Sequence, residues 1–435
     1  MYSRVVHSGL IFLLCFSFFT SCKKEKDETG PKVTFTSPFE NQTFAVHDYI
    51  PVKASISDET EIVSASITLV DLNYIPVQES LVLQPSSHEM WVSADYELSN
   101  IHLESGKYYL MILASDGKND SRTFRAVMIT GVPRVLKSIL VASSSSSSVT
   151  NLSMVDSSFS SLNLFRSFGG DFLGTSSSSY DQRVFMCGSY TGAFTGIKLE
   201  NNSVILNIPP QVSSVPYFTG YMADDKKLYV ARYDEQLFGY NNSGMNIYSA
   251  RANNGYYIRK MIMNNGYLLA EEKNKFFPGD ILVSFYTTGT YKQQVALSQE
   301  VAAFCEKDEH RVFVFGNSSG QGVIQLYDRV YNTISNPYNY SLAPGLITCA
   351  VKIDHDTYLV GHSNGTVYKY QYQNSSVTTF ASGYSSKELK YDQLNNDIYV
   401  VESNRITVID YNSGSVINSV SSAENILGIS LLYNR

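Results

Sequence analysis

The sequence contains little tryptophan, cysteine or charge. Trp91 is the one tryptophan among 435 residues, five residues are cysteine, and 17% are Asp, Glu, Lys or Arg. A disulfide-stabilised scaffold has a much higher share of cysteine, and a disordered chain has less than the 43% hydrophobic content present here. The formal net charge is −7 and there is no long basic run, so nucleic acid is not an expected partner.

Aromatic residues and glycine are abundant instead. The chain has 32 Tyr, 23 Phe and 27 Gly, a composition that favours β-strands joined by tight turns. No amphipathic stretch with helical periodicity exceeds two turns after residue 21. The length predicts two or three domains. Together these features predict an all-β protein of more than one domain.

The first residues have the features of an export signal. Arg4 precedes the apolar run Leu10–Phe19, which is too short to span a bilayer as a mature helix but has the length of a signal-peptide core. The following Phe19-Thr20-Ser21-Cys22 resembles the lipobox of bacterial lipoproteins, which implies that residues 1–21 are removed and that Cys22 is acylated. The charged residues 23–28 resemble the surface-export signal of Bacteroidetes lipoproteins. The resemblance implies an outer-membrane lipoprotein with a tether at 22–31, at the cell surface or alternatively facing the periplasm.

Three cysteines remain after that point. Cys187, Cys305 and Cys349 have no CxxC spacing and lie in apolar strand patterns, so we expect buried free thiols. The seven histidines include no HxH or HExxH pair, and no metal site or cofactor is expected.

Residues 32–131 alternate short apolar strands with turn residues. The predicted strands are Val33–Thr36, Ile50–Ile56, Ile62–Val70, Glu89–Leu98, Tyr108–Ala114 and Arg122–Ile129. This number of strands in about 100 residues is typical of an immunoglobulin-like sandwich. Phe35-Thr36-Ser37-Pro38 and Ala114-Ser115-Asp116-Gly117 resemble segments of bacterial Ig-like modules of the cadherin/PKD type.

Four acidic residues of this segment would be calcium ligands if the domain resembled a cadherin in this respect. They are Asp58, Glu59, Asp116 and Asp120. No DxNDN-like run accompanies them, so we interpret them as turn residues.

Residues 132–435 contain an apolar strand that recurs seven times. Its central residues are Leu140, Phe185, Tyr229, Leu268, Phe313, Leu359 and Tyr399, at spacings of 39 to 46 residues. A period of 40–45 with several strands per unit is typical of propeller blades. The pattern resembles seven-bladed β-propellers of the WD40/YVTN-like kind, although the Gly-His and Trp-Asp dipeptides of WD40 blades are missing, and six or eight blades remain open.

The last strand pattern, Asn425–Asn434, matches the innermost strand of a blade, whereas the first repeat lacks such a strand. We therefore expect this segment to pair with the first blade and close the ring, because closure removes unpaired strand edges.

Two segments match the G-x-S-x-G pattern of serine hydrolases, residues 316–320 and 361–365. A nucleophile elbow requires a helix after the serine, whereas here a second strand follows. Both segments occupy the same position in consecutive repeats, so we interpret them as hairpin turns.

The candidate binding residues lie in turns and links expected at one mouth of the propeller channel. They are Arg232, Tyr233, Tyr256, Tyr257, Glu271, Lys273 and His362, with Phe276-Phe277 and Tyr338-Asn339-Tyr340 in equivalent segments. Aromatic rings beside charged groups can stack on a sugar face or anchor a protein. The sequence thus predicts a non-catalytic binding or scaffold module for a glycan or protein. The alternative is a carbohydrate-active hydrolase or lyase in the same mouth, for which no catalytic residue is identified.

Overall fold

The computed structural model describes residues 29–85, 87–156, 158–224, 226–337 and 342–435. Across these ranges all regular structure is β-strand, and no helix is long and apolar enough to cross a bilayer. The expected signal peptide, the lipidation of Cys22 and the Tyr338-Asn339-Tyr340 segment lie outside the described residues. The chain divides into two compact units between Pro133 and Arg134.

The first unit consists of two sheets around one hydrophobic core. One sheet has the strand order β1-β3-β6 and the other β2-β8-β7-β4-β5, in which the strands are β1 (Lys32–Ser37), β2 (Gln42–Ala45), β3 (Tyr49–Ser57), β4 (Ser64–Val70), β5 (Leu81–Leu83), β6 (Glu89–Glu97), β7 (Gly106–Ser115) and β8 (Asp120–Thr130). All six predicted strands are present, and the short strands β2 and β5 are additional.

Alternation along β3 explains how this core forms. Ile50, Val52, Ala54 and Ile56 are buried, while the residues between them face outward, as a strand with one covered face requires. The Tyr96 hydroxyl lies between the two sheets, where it donates to the Glu79 carbonyl at 3.0 Å and accepts the Leu69 N–H at 3.1 Å.

The second unit contains seven four-stranded antiparallel sheets among the described residues. The first sheet consists of β9 (Leu136–Ser146), β10 (Val149–Val155), β11 (Leu162–Gly169) and the last strand, β36 (Asn425–Tyr433). The second comprises β12 (Gly174–Ser178), β13 (Arg183–Cys187), β14 (Phe194–Lys198) and β15 (Val204–Ile208). The third comprises β16 (Phe218–Ala223), β17 (Lys227–Arg232), β18 (Gln236–Asn241) and β19 (Asn246–Arg251).

The remaining four sheets follow in chain order. They are formed by β20 (Tyr256–Asn264), β21 (Tyr267–Asn274), β22 (Ile281–Tyr286) and β23 (Tyr291–Ala296); β24 (Glu300–Glu306), β25 (Arg311–Ser318), β26 (Gln321–Asp328) and β27 (Thr333–Ser335); β28 (Ile347–Lys352), β29 (Thr357–His362), β30 (Thr366–Gln371) and β31 (Ser376–Ser382); and β32 (Glu388–Asp392), β33 (Asp397–Val401), β34 (Arg405–Asp410) and β35 (Val416–Ser421). We call the seven sheets blades 1 to 7.

The blades form a closed ring, which makes this unit a β-propeller. Each of the seven gaps between neighbouring blades, including the gap between blades 7 and 1, holds its own cluster of buried hydrophobic side chains. The seven central residues predicted from the repeat all lie on the second strand of a blade and are at most 2% exposed. They supply these clusters because the second strand is covered on both faces.

The predicted ring closure is confirmed. Strand β36 pairs antiparallel with β9, with Ile429 opposite Val141 and Leu431 opposite Ile139. Ile426, Ile429 and Leu432 are at most 1% exposed. The C-terminal strand is therefore the innermost strand of blade 1.

The turns and the cysteines of the propeller agree with the sequence-based predictions. Both G-x-S-x-G segments are hairpin turns, between β25 and β26 and between β29 and β30, as predicted. Cys187, Cys305 and Cys349 are buried and free, also as predicted. Burial raises the pKa of the Cys305 thiol to about 12 and that of Cys349 to about 11.

Candidate binding face of the propeller

The strand directions bring the turns and links of each blade to one end of the propeller. In blade 3, Phe218 at the start of β16 pairs with Arg232 at the end of β17, and Gln236 at the start of β18 pairs with Arg251 at the end of β19. The turn between the second and third strands and the link to the next blade therefore lie together. We call this end the link face.

The candidate residues all lie at this end, on three blades. Arg232 and Tyr233 are in blade 3, and His362 ends β29 in blade 6. The remaining four are in blade 4, where Tyr256 and Tyr257 begin β20 and Glu271 and Lys273 lie near the end of β21.

Tyr233 and Tyr257 come together across the gap between blades 3 and 4. Their ring centroids are 5.2 Å apart with an interplanar angle of 34°, and the Lys275 ammonium lies 5.1 Å from the centre of the Tyr233 ring. Within blade 4, Tyr257 pairs with Lys273 and Tyr256 with Asn274. These contacts form an aromatic and cationic surface that is half-buried.

Two phenylalanines extend this surface into solvent. Phe276 and Phe277 follow β21 and are each 73% exposed. Their backbone N–H groups both donate to the Asn274 side-chain oxygen at 2.9 Å, which fixes the turn that presents them. Because Lys275 donates its own N–H to the Gly255 carbonyl at 2.9 Å, this turn is held against the link that precedes Tyr256.

Arg232 is directed away from the Tyr233–Tyr257 pair. Its guanidinium lies 4.7 Å from the centre of the Tyr217 ring and forms an ion pair with Asp234. Both contacts of the Arg232 side chain are therefore with residues of blade 3.

Glu271 is fully buried in the gap between blades 4 and 5. Its carboxylate accepts two hydrogen bonds from Arg259, at 2.8 and 3.0 Å, and Arg259 also bonds Glu300 at 2.6 Å. Lys273 lies 3.7 Å from both Asp280 and Glu300. These charges hold neighbouring blades together, and Glu271 has no surface that a ligand could touch.

Glu272 is equally buried but faces the opposite gap, between blades 3 and 4. One carboxylate oxygen accepts the N–H and the side-chain amide of Asn253 at 3.0 and 2.9 Å, and the other has no hydrogen-bond partner. Burial, opposed by the Asn253 hydrogen bonds and reinforced by the charge of Glu235, raises the pKa of Glu272 to about 7.

Glu235 lies in the same gap, but its carboxylate is paired with cations. It accepts the Gly255 N–H at 2.9 Å and forms ion pairs with Lys275 at 3.1 Å and Arg251 at 3.0 Å. The Gly255 hydrogen bond and these cations lower the pKa of Glu235 to about 2. Glu235, Glu272 and Lys275 are thus structural members of the face beyond the seven candidate residues.

His362 lies apart from this group and is 0% exposed. Its Nδ1 accepts the Asn364 N–H at 3.3 Å, its ring centre is 5.5 Å from that of Tyr368, and its Nε2 has no hydrogen-bond partner. Of the seven candidates, the structure brings the rings of Tyr233 and Tyr257 together, with Tyr256 next to Tyr257 in the chain. Arg232 and Lys273 are held by ion pairs elsewhere, and Glu271 and His362 are buried.

Within the described ranges, no group of three or more histidine, cysteine, aspartate or glutamate side chains is arranged to hold a metal ion.

No protein-family model and no curated protein matches this chain. Among solved structures, a computationally designed protein, Ika8, is 12% identical and aligns with 68% of this chain and 90% of its own, with a TM-score of 0.46. A quinonprotein alcohol dehydrogenase-like protein from Bacteroides thetaiotaomicron is 11% identical over 93% of this chain and 99% of its own, with a TM-score of 0.45.

The WD40 β-propeller domain of Doa1 is 13% identical to this chain, of which it covers 61%, and 88% of that domain is aligned at a TM-score of 0.46. All three TM-scores are below 0.5. The assignment of the second unit as a β-propeller therefore rests on its strand pairing and on the hydrophobic clusters between its blades.

Proposed function

We propose that this chain is a lipid-anchored outer-membrane protein of the Bacteroidetes type, exposed at the cell surface, whose propeller binds a partner without catalysis through its link face. An immunoglobulin-like first domain at 32–131 serves as a spacer between the acylated Cys22 and the seven-bladed propeller at 132–435. The partner is a glycan or a protein.

The observation that carries the binding function is the exposure of Phe276 and Phe277. Two adjacent phenylalanines that are each 73% exposed leave apolar area in water unless a partner covers it. The Tyr233–Tyr257 pair lies beside them, so the surface combines several aromatic rings, which are enriched in binding hot spots. Phenylalanine has no polar edge to bond sugar hydroxyls, which favours a protein partner over a glycan.

The enzymatic alternative has one supporting observation, the pKa of about 7 of Glu272, which suits a general acid or base. Glu272 and Glu271 are both 0% exposed, however, and their oxygens contact Asn253 and Arg259. A substrate bound at the link face does not reach either carboxylate, which supports binding over catalysis.

The binding proposal is tested with the full-length protein on a glycan array and against a displayed peptide library. For the ligand recovered, Phe276→Ala and Phe277→Ala are expected to weaken binding at least tenfold with little change in melting temperature. Tyr331→Ala is the matched control, because Tyr331 is an aromatic residue, 76% exposed, in the turn between β26 and β27, which lies at the other end of the propeller. Equal affinity of both phenylalanine variants and the parent contradicts the proposal, and hydrolysis of an arrayed glycan favours the enzyme.

The anchoring proposal is tested separately. Cys22→Ala is expected to abolish incorporation of labelled fatty acid and to release the protein from membranes or leave an uncleaved precursor, whereas Cys187→Ala keeps both properties. Protease digestion of intact cells distinguishes the cell surface from the periplasmic side. Normal lipid labelling of the Cys22 variant contradicts the proposal.

A further inference from the structure

The propeller encloses a central channel with a cavity of about 570 Å³. Its wall includes residues from the innermost strands of all seven blades, β12, β16, β20, β24, β28, β32 and β36. Small or hydroxyl-bearing residues such as Gly174, Ala302, Thr348 and Ser430 keep it open. The volume lies within the range of small-molecule binding sites.

Three lysines face this cavity although the protein as a whole is acidic. Lys260 comes from β20, Lys387 from the link before β32, and Lys390 from β32 itself. The carboxylates on the same wall are Glu388 and Asp224.

Two of the three lysines have partners in the wall. Lys390 forms an ion pair with Glu388 at 2.9 Å, and Lys387 donates to the Asn425 side-chain oxygen at 2.7 Å. Asp224 is occupied at the end of β16, where one oxygen accepts the backbone N–H groups of Lys226 and Lys227.

Lys260 has no such partner. Its ammonium makes no hydrogen bond or ion pair with any residue in the described part of the chain, yet it is exposed to the cavity. Burial within the ring and the charge of the neighbouring Arg259 lower the pKa of Lys260, against the weaker opposing effect of the Glu271 and Glu388 charges. An anion in the channel would compensate this charge.

A β-bulge places Lys260 in the channel. Ile258 pairs with Glu272 and Met261 with Ala270, so Arg259 and Lys260 together face Glu271 alone. Arg259 turns to the Glu271 carboxylate, and Lys260 remains on the channel side. Bulges redirect side chains in this way.

The same bulge recurs in four other innermost strands, where it contains no charge. Counted from the last pair before the shift, the residues that correspond to Lys260 are Gly220, Ala303, Cys349 and Gly428. Because all four are uncharged, the geometry of the bulge does not require the lysine of blade 4.

We propose that the central channel binds a small anionic ligand through a carboxylate or phosphate group, with Lys260 and Lys390 contacting the anion. The Lys260 ammonium that this ligand would meet forms no ion pair with either carboxylate of the wall, Glu388 or Asp224, among the described residues. This site is separate from the link-face surface, and the proposal does not depend on the partner bound there.

Titration calorimetry of the full-length protein with inorganic phosphate and with citrate, at low ionic strength, tests the channel. Saturable binding of at least one anion is expected, and glucose, a neutral solute, is expected not to bind. Phosphate binding alone assigns a phosphate ligand, and citrate binding alone assigns a carboxylate. Absence of saturable binding by both anions overturns the proposal.

Variants of the wall locate the site. Lys260→Met and Lys390→Met are each expected to weaken anion binding at least tenfold, while Lys198→Met, at an exposed position at the end of β14, leaves it unchanged. Unchanged affinity in Lys260→Met overturns the proposal.

A variant that is expected to tighten anion binding separates loss of the site from a folding defect, because a folding defect would weaken binding. Glu388→Gln removes a negative charge from the wall, and its amide oxygen can still accept the Ile429 N–H that Glu388 accepts at 2.9 Å. It is expected to tighten anion binding severalfold, and weaker binding in this variant contradicts the proposal. Phe276→Ala is expected to leave anion binding unchanged, so failure of the channel site and failure of the link-face function are distinguishable.

Discussion

Ile429→Ala tests whether the propeller depends on its C-terminal strand. Ile429 lies in the middle of β36, is 1% exposed and packs in the cluster between blades 7 and 1. The substitution removes three buried carbon atoms from the sheet in which the first and last segments of the propeller sequence meet. We therefore expect a loss of stability throughout the propeller.

The magnitude follows from the burial of this side chain. Large-to-small substitutions of buried aliphatic residues cost about 2–5 kcal/mol, because the lost transfer free energy adds to that of the cavity left behind. A loss of about 3 kcal/mol is a large part of the roughly 5–15 kcal/mol that stabilises a typical domain. It corresponds to amide hydrogen exchange on the order of 100-fold faster in strands that exchange by opening of the propeller.

Hydrogen exchange read by mass spectrometry separates the two units. Peptides from β9, β10 and β33 are expected to exchange faster in Ile429→Ala, whereas peptides from β7 in the first unit keep their rates. Ile417→Ala is the matched control, since Ile417 lies on the outermost strand β35 and is 47% exposed. If both variants exchange alike, the argument for closure by β36 is refuted.

Three further results are expected. The pKa of Glu272 is raised from 4.5 to about 7 in the folded protein, so its contribution to stability falls as the pH rises between these values. In denaturant titrations, Glu272→Gln should therefore stabilise the protein by on the order of 2–3 kcal/mol more at pH 8 than at pH 5. Gly289→Ala should lower the melting temperature much more than Gly320→Ala, because both glycines have positive φ but only at Gly289 would the new Cβ lie 1.8 Å from a backbone oxygen, that of Ser249. Cys187 and Cys305 should react with a thiol reagent only in denaturant, since both are buried and neither lines the channel cavity.

The repeat could be predicted because the second strand of each blade is covered on both faces. Residues such as Phe313 and Leu359 are 0% exposed, and a strand buried on both faces carries a run of apolar residues that stands out in any sequence. The strands missed in the first unit, Gln42–Ala45 and Leu81–Leu83, are short and have no such run. Their place is set by pairing with β8 and β4.

The sequence predicts which residues lie at the link face, but it does not predict which side chains contact each other there. Strand direction alone brings Tyr233 and Tyr257 to the same end of neighbouring blades. Glu271 and Glu272 are adjacent in the sequence, yet alternation directs them into different gaps, where one meets Arg259 and the other has an oxygen without a partner. Alternation along β21 could have predicted that these two glutamates lie on opposite faces of the blade. Their burial could not be predicted, because it depends on the neighbouring blades.

The channel could not be found from the sequence because it exists only when the ring is closed. Lys260 and Lys390 are 130 positions apart, and neither lies in a motif. Their common cavity also depends on the last strand, because the Glu388 carboxylate that pairs with Lys390 accepts the backbone N–H of Ile429 at 2.9 Å. The strand that closes the ring thus also holds the carboxylate that pairs with one channel lysine, whereas Lys260 forms no ion pair within the described part of the chain.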